Sequence, residues 1–193
     1  MVSFQAALIR NTVVLVTRRS SPHFTILFLL RYGLINDDSN AFDYVKKTLD
    51  SMRAGGIFDH VGGGFCRYST DNKWLVPHFE KMMYDNALHI MAYSEAGALI
   101  DKKYFDTVRE VVEFCVRDML HPDGGFYTAI DADSEGVEGK YYVFTPKEIS
   151  KVLGDKDGER YCRLYNITRQ GNFEGKNIPN LIGVSLSDDD KRF

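Results

Sequence analysis

Gly55-Gly56-Ile57-Phe58 and Gly124-Gly125-Phe126-Tyr127 are one pattern written twice, at an offset of 69 residues from Gly55 to Gly124. In each copy an amphipathic run stops at a glycine pair and an aromatic loop follows. Before the first pair, Phe42, Val45, Leu49 and Met52 recur at spacings of three and four, which predicts a helix opening at Asp38 or Ser39 with one apolar face. Before the second, Phe105, Val108, Val112, Cys115 and Met119 predict another core-facing stripe, closed by the turn His121-Pro122-Asp123-Gly124-Gly125. A helical pair cannot bury its own apolar face, so such units stack side by side. The expected fold is mainly α, an arc or toroid of helical hairpins. Its polar loops all follow alternate helices, so they should gather at one end.

The remaining elements fit around this frame. Pro22 predicts the start of a helix over Phe24–Tyr32 that stops at Gly33. Phe65–Ser69 and Lys73–Val76 read as a short hairpin around Thr70–Asn72, ended by Pro77. A helix is expected over Phe79–Ile100, small residues being frequent along it. Phe126–Ile130 and Lys140–Phe144 read as strands flanking the acidic loop Asp131–Gly139. Thr145, Pro146 and Glu148 form a capping box with proline at the first helical position. The helix they open is expected to end at Gly154, with a second short one over 158–165. The domain reading is a divergent lead-in over 1–21, one helical domain over 22–184 and a frayed tail over 185–193.

Composition narrows the function classes. Lys and Arg number 24 against 27 Asp and Glu, a net charge of −3, and no basic cluster carries interleaved aromatics, so nucleic acid is not an expected partner. Val13–Val16 and Phe24–Leu30 are too short to span a bilayer, which needs ~20 residues, so no membrane segment is expected. Three cysteines without a C-x-x-C pair argue against a disulfide framework or a zinc ribbon, and favour reduced thiols in a cytoplasmic setting. The first 36 residues lack Asp and Glu while carrying Arg10, Arg18, Arg19 and Arg31. That reads either as a transit-like segment or as an acid-poor approach to the first helix. Asp131-Ala132-Asp133-Ser134-Glu135-Gly136 starts like a calcium loop, but Tyr142 stands where the bidentate Glu belongs. No metal and no cofactor is expected.

The run from Gly55 to Phe65, then Arg67-Tyr68-Ser69 and Trp74-Leu75-Val76-Pro77-His78-Phe79-Glu80-Lys81-Met82-Met83-Tyr84-Asp85, resembles the spermatogenesis-associated protein 20 family and its bacterial thioredoxin-domain-containing relatives. Asp131–Gly136, Glu138–Val143 and Gly171-Asn172-Phe173-Glu174-Gly175-Lys176-Asn177 carry the same resemblance. It extends from about Pro22 to Asn180; residues 1–21 do not follow it. The resemblance implies a two-part protein. A thioredoxin-like domain would precede an (α/α)6 toroid similar to six-hairpin glycosidases and N-acylglucosamine 2-epimerases. The present chain matches part of that toroid and would meet the thioredoxin-like domain as a partner in a longer relative.

The glycine-rich loop collects the residue types a sugar site uses: an aromatic face for the C–H side of a ring, and acids, His and Arg for its hydroxyls. His78, Glu80 and His60 are the candidate acid–base groups. Asp59, Arg67, Tyr68, Trp74, Phe79, Asp85, Asp131, Asp133 and Glu135 are the candidate ligand contacts. Glycoside hydrolysis would need two carboxylates about 5–5.5 Å or 6.5–9.5 Å apart. Epimerisation would need a base beside a carbonyl-adjacent carbon, for which His suits neutral pH. The other reading is a non-catalytic module that docks the thioredoxin-like domain or another protein.

Overall fold

Pro22, with φ −79°, precedes helix α1, His23–Asn36. The computed structural model describes residues 22–185 and Asp190, so the lead-in over 1–21 and most of the tail over 185–193 lie outside the described residues. Helix α1 does not stop at Gly33 but runs one turn further, to a left-handed Asp37 (φ 52°). Gly33 serves a different end. A Cβ there would stand 3.2 Å from both Ala41 Cβ and Asp38 O, so its absence lets the next helix come close.

That helix, α2, spans Ser39–Ala54, and the Asp38 carboxylate caps it by accepting from the Asn40 amide at 3.0 Å. Val45, Leu49 and Met52 are fully buried and Phe42 packs beside them, as their spacing predicts. Helix α3, Met83–Leu99, lies against α1 and against α4, Tyr104–Phe114, which continues as a π-turn over Cys115–Met119. Helix α5, Pro146–Leu164, opens on the expected capping box and breaks at Gly154 (φ 77°, ψ 171°), where two helices were anticipated. The central core joins α1 to α4 through Ile26, Leu30, Leu49, Phe58, Phe65 and Phe114. Side chains buried to this degree contribute about 1.5–3 kcal/mol each. A smaller cluster of Phe79, Ala132, Val143 and Ile178 holds the loops.

Three two-residue antiparallel pairs stitch those loops together. Strand β1, Tyr68–Ser69, pairs with β2, Pro77–His78; β3, Lys81–Met82, pairs with β4, Ala129–Ile130; β5, Asp133–Ser134, pairs with β6, Val137–Glu138. The β3–β4 pair joins the loop after α2 to the loop after α4, which puts both rich loops at one end of the stack.

Local predictions were displaced where a tertiary bond outweighed propensity. Pro77 does not end the first hairpin but lies in it opposite Ser69, because the Asp71 carboxylate gathers the amides of Lys73, Leu75 and Val76 into a wide turn. Residues 79–82 are extended rather than helical, since Lys81–Met82 is committed to β4. The buried face of α4 is Tyr104, Thr107, Val111 and Phe114; of the expected stripe, Cys115 and Met119 are buried and Val108 packs against the core, while Phe105 and Val112 are 39% and 40% exposed. The acidic loop makes its own hairpin through Glu135 and Gly136, both at positive φ, while Lys140–Tyr142 is a 3-10 turn rather than a strand.

Candidate functional site

The register of β1 and β2 sets Tyr68 directly opposite His78, and the two rings stack at 5.2 Å. His78 Nδ1 donates to Glu138 Oε1 at 2.8 Å, while Nε2 faces Glu80 Oε2 at 3.8 Å. Glu80 in turn accepts from Arg67 Nη1 at 2.8 Å, and the Arg67 amide donates to the Glu80 carbonyl at 2.8 Å, locking the two segments together. The result is a chain of charge, Arg67–Glu80–His78–Glu138, in which the imidazole stays partly open to solvent with 30% of its side chain exposed. With Nδ1–H directed at Glu138, Nε2 is the ring nitrogen left to exchange a proton, on the side of Glu80. A proton taken up there would leave an imidazolium between two carboxylates.

Glu80 therefore stands in an extended segment and not at a helix mouth, as its sequence position had suggested. The first-turn acid of α3 is Asp85, which is 4% exposed. Burial pushes its carboxyl up to about 6; the Arg67 charge opposes this and the Glu80 charge adds to it.

Other expected site residues are occupied elsewhere. His60 Nε2 donates to the Gly55 carbonyl at 2.9 Å and Nδ1 accepts from Arg53 Nη1 at 3.3 Å, so both nitrogens brace the end of α2. Burial, with the Arg53 charge alongside, pulls His60 down to about 4. Asp59 accepts from the amides of Val61 and Gly62, each at 2.9 Å, and from Lys81 Nζ at 2.7 Å in a buried ion pair. Lys81 also donates to the Gly63 carbonyl at 2.7 Å and lies over the Phe114 ring. Trp74 is 6% exposed and belongs to the central core, held at φ 63° while its carbonyl accepts from the Ile57 amide. Phe79 is 2% exposed, stacked on Tyr142 and edge-on to Phe173. Neither ring has a face free for a sugar. Asp131, Asp133 and Glu135 are exposed on the β5–β6 hairpin, Asp131 accepting from the Asp133 amide and Glu135 pairing with Lys140.

That hairpin brings to the site a residue the sequence reading passed over. Glu138 follows the acidic run by two residues; what fixes its role is the β5–β6 turn, which carries its carboxylate back to His78. Cys66, in the same loop, is fully buried, and burial raises its thiol to about 12, so it is no nucleophile near neutral pH. Among the described residues, no three His, Cys, Asp or Glu side chains are placed to hold a metal ion. No helix among them is long and apolar enough to cross a membrane.

No protein-family model matches the chain. Over 172 residues it is 40% identical to human "Spermatogenesis-associated protein 20", a match taking in 81% of this chain and 22% of that protein. The chain is homologous to one segment of spermatogenesis-associated protein 20. The mouse protein is 37% identical over 82% of the chain, and an uncharacterized protein of Caenorhabditis elegans is 42% identical over 67% of it. The chain spans about a fifth of the length of these curated relatives. Among solved structures, it is similar to a sugar epimerase from a ruminal bacterium, with TM-score 0.52 and 18% identity, covering 73% of this chain and 40% of that one. It is also similar to a D-mannose isomerase, with TM-score 0.50 and 19% identity, covering 58% and 30%. The fold is thus part of an α/α toroid with short strand pairs in its connecting loops, as in these two structures.

Proposed function

We propose that this segment contributes part of a sugar-binding site, in which His78 transfers a proton at a carbon next to the carbonyl of an open-chain sugar. The observation that carries this reading is the His78 imidazole held between Glu138 at Nδ1 and Glu80 beyond Nε2, with Tyr68 stacked on one ring face. Glu138 fixes the tautomer, and Glu80 stands ready to stabilise the imidazolium formed when Nε2 removes the proton. Returning the proton to the same carbon from the opposite face is epimerisation; returning it to the neighbouring carbon, with the hydroxyl proton relocated, is aldose–ketose isomerisation. Similarity to a sugar epimerase and a D-mannose isomerase supports a reaction of this class over glycoside hydrolysis. So does the engagement of Glu80 and Glu138 with Arg67 and His78, since hydrolysis would need two carboxylates free to flank a glycosidic oxygen.

The test is incubation of the chain in D2O with D-mannose, D-glucose and their N-acetylamino analogues, following the C2 proton by NMR. Loss of that signal with the wild type, abolished in His78→Gln and reduced in Glu138→Gln, is the expected outcome. No exchange with any of these sugars, and no heat on titrating them, would refute the reading.

One observation favours a docking role alongside. Phe24, Phe28, Leu34 and Ile35 of α1 are 61–81% exposed, an apolar face suited to a further part of the longer relatives, such as a thioredoxin-like domain.

A further inference from the structure

One carboxylate oxygen links Arg67 to the open histidine. Glu80 Oε2 accepts from Arg67 Nη1 at 2.8 Å and stands 3.8 Å from His78 Nε2. The guanidinium therefore lies no further from Nε2 than those two distances laid end to end, a gap that a carbonyl carbon and its oxygen can span. The backbone sets this arrangement. Glu80 follows His78 by two residues in extended chain, so the two side chains share a face, while Phe79 between them is 2% exposed and packs into the loop cluster. The Arg67 amide donates to the Glu80 carbonyl at 2.8 Å, and Tyr68, next in sequence, stacks on the His78 ring. Of the Arg67 side chain 42% is exposed, and with Nη1 engaged by Glu80 the planar fork still carries further N–H donors.

Removing a proton from a carbon beside a carbonyl drives negative charge onto the carbonyl oxygen, and a base alone does nothing for that charge. We propose that Arg67 is the electrophile of this site: its guanidinium donates to the carbonyl oxygen of the open-chain sugar and holds the charge that gathers there as His78 acts. The C2–H electron pair becomes the C1–C2 π bond, the proton goes to His78 Nε2, and the carbonyl π pair comes to rest on O1, facing Arg67. Arg67 gives up no proton, since its guanidinium stays charged throughout. When the oxygen pair re-forms the carbonyl, Nε2 returns a proton to carbon. Glu80 lies between the two groups that are then positive, Arg67 and the His78 imidazolium. The inference rests on the proton transfer proposed for His78 and assigns the second half of that step.

The experiment uses the full chain and two probes. One is D-mannose in D2O, read by loss of the C2 proton. The other is D-arabinonohydroxamate, whose planar pair of oxygens copies the enediolate of an aldohexose, read by calorimetry and by the Arg67 15Nε resonance. Arg67→Met should lower kcat for exchange by about 10²–10³ with a much smaller change in KM, and should lose the hydroxamate. Glu80→Gln breaks the same ion pair and should still bind the hydroxamate, which separates a donor to the ligand from a prop for Glu80. In the wild type, adding the hydroxamate should shift the Arg67 resonance. A wild type that does not bind the hydroxamate, an Arg67 resonance that stays still, or a Glu80→Gln protein that loses the hydroxamate as fully as Arg67→Met overturns the proposal. Exchange by the wild type with Arg67→Met within about threefold of it also overturns the proposal while leaving the sugar reading in place. Absence of exchange in the wild type fails the sugar reading instead, and the resonance, which needs no variant to fold, still decides whether Arg67 meets an oxyanion.

Discussion

Replacing Lys81 by Met removes one of the few charges buried in this chain, and the structure sets the size of the effect. Lys81 Nζ meets Asp59 Oδ2 and the Gly63 carbonyl, each at 2.7 Å, with side-chain exposures of 3% for Lys81 and 9% for Asp59. Methionine fills nearly the same volume and keeps contact with the Phe114 ring, so little of the loss comes from packing. What remains is a carboxylate stranded in the interior and a carbonyl without its donor. Truncating one member of a buried ion pair costs about 3–5 kcal/mol. For a domain of this size each kcal/mol lowers the melting temperature by about 2–4 °C, so Lys81→Met should melt roughly 6–20 °C below wild type. Asp59→Asn is the informative partner. It keeps the Oδ1 atom that accepts from Val61 and Gly62 while removing the charge that faces Lys81. It should be destabilised comparably, and the double variant should fall short of the sum by about 2 kcal/mol. Differential scanning calorimetry of the four proteins closes the cycle. A Lys81→Met protein melting within about 2 °C of wild type would refute the argument that this pair holds the glycine-rich loop, and would return Asp59 to the pool of ligand contacts.

Further expectations concern the loops, the core and pH. Gly64→Ala should be much more damaging than Gly136→Ala. Both glycines have positive φ, but a Cβ at Gly64 would fall 2.4 Å from Phe114 Cδ1, whereas at Gly136 it meets open space; urea unfolding should give a loss of about 1 kcal/mol at Gly136 and several times that at Gly64. Trp74, the only tryptophan, should emit at short wavelength, resist quenching by iodide and be indifferent to sugars; Trp74→Ala should cost about 3–5 kcal/mol as a core truncation. His60 and His89 are held neutral, with values depressed to about 4 and 3 from an ordinary 6.5. A depressed folded value means that their contribution is complete above 6.5 and is lost as pH falls, so the melting temperature should drop between pH 6.5 and 4. His60→Gln should flatten part of that slope. Thr145→Ala removes the capping box of α5 and should lower stability by about 1 kcal/mol in chemical denaturation.

The elements legible in the sequence were those whose stability is local. The apolar spacing of α2, the Asp38 and Thr145 caps and the break at Gly154 are decided within a few residues, and the chain keeps each where its own side chains put it. The site divides along the same line. Tyr68 and His78 could be placed in one loop by inspection, but their stacking depends on a two-residue register fixed by Asp71, and that register moved Pro77 from the end of a strand into one. Trp74 and Phe79 looked like sugar platforms because aromatic residues beside glycines serve either purpose. Gly55, Gly56 and Gly139 are small because a Cβ at any of them would strike Trp74, Leu75 or Phe79 at 2.2–2.4 Å, so here the glycines mark where rings and backbone are packed inward. Long-range partners left no local trace at all. Nothing near Glu138 announces His78, sixty residues back, and nothing near His23 announces Asp85 on another helix. The long-range contacts a linear reading weights least are therefore those of a glutamate at the end of an exposed hairpin and of a histidine at the first turn of a helix. Their surroundings come from the fold, which sets the His78 ring between Glu138 and Glu80 rather than among the neighbours beside which it is written.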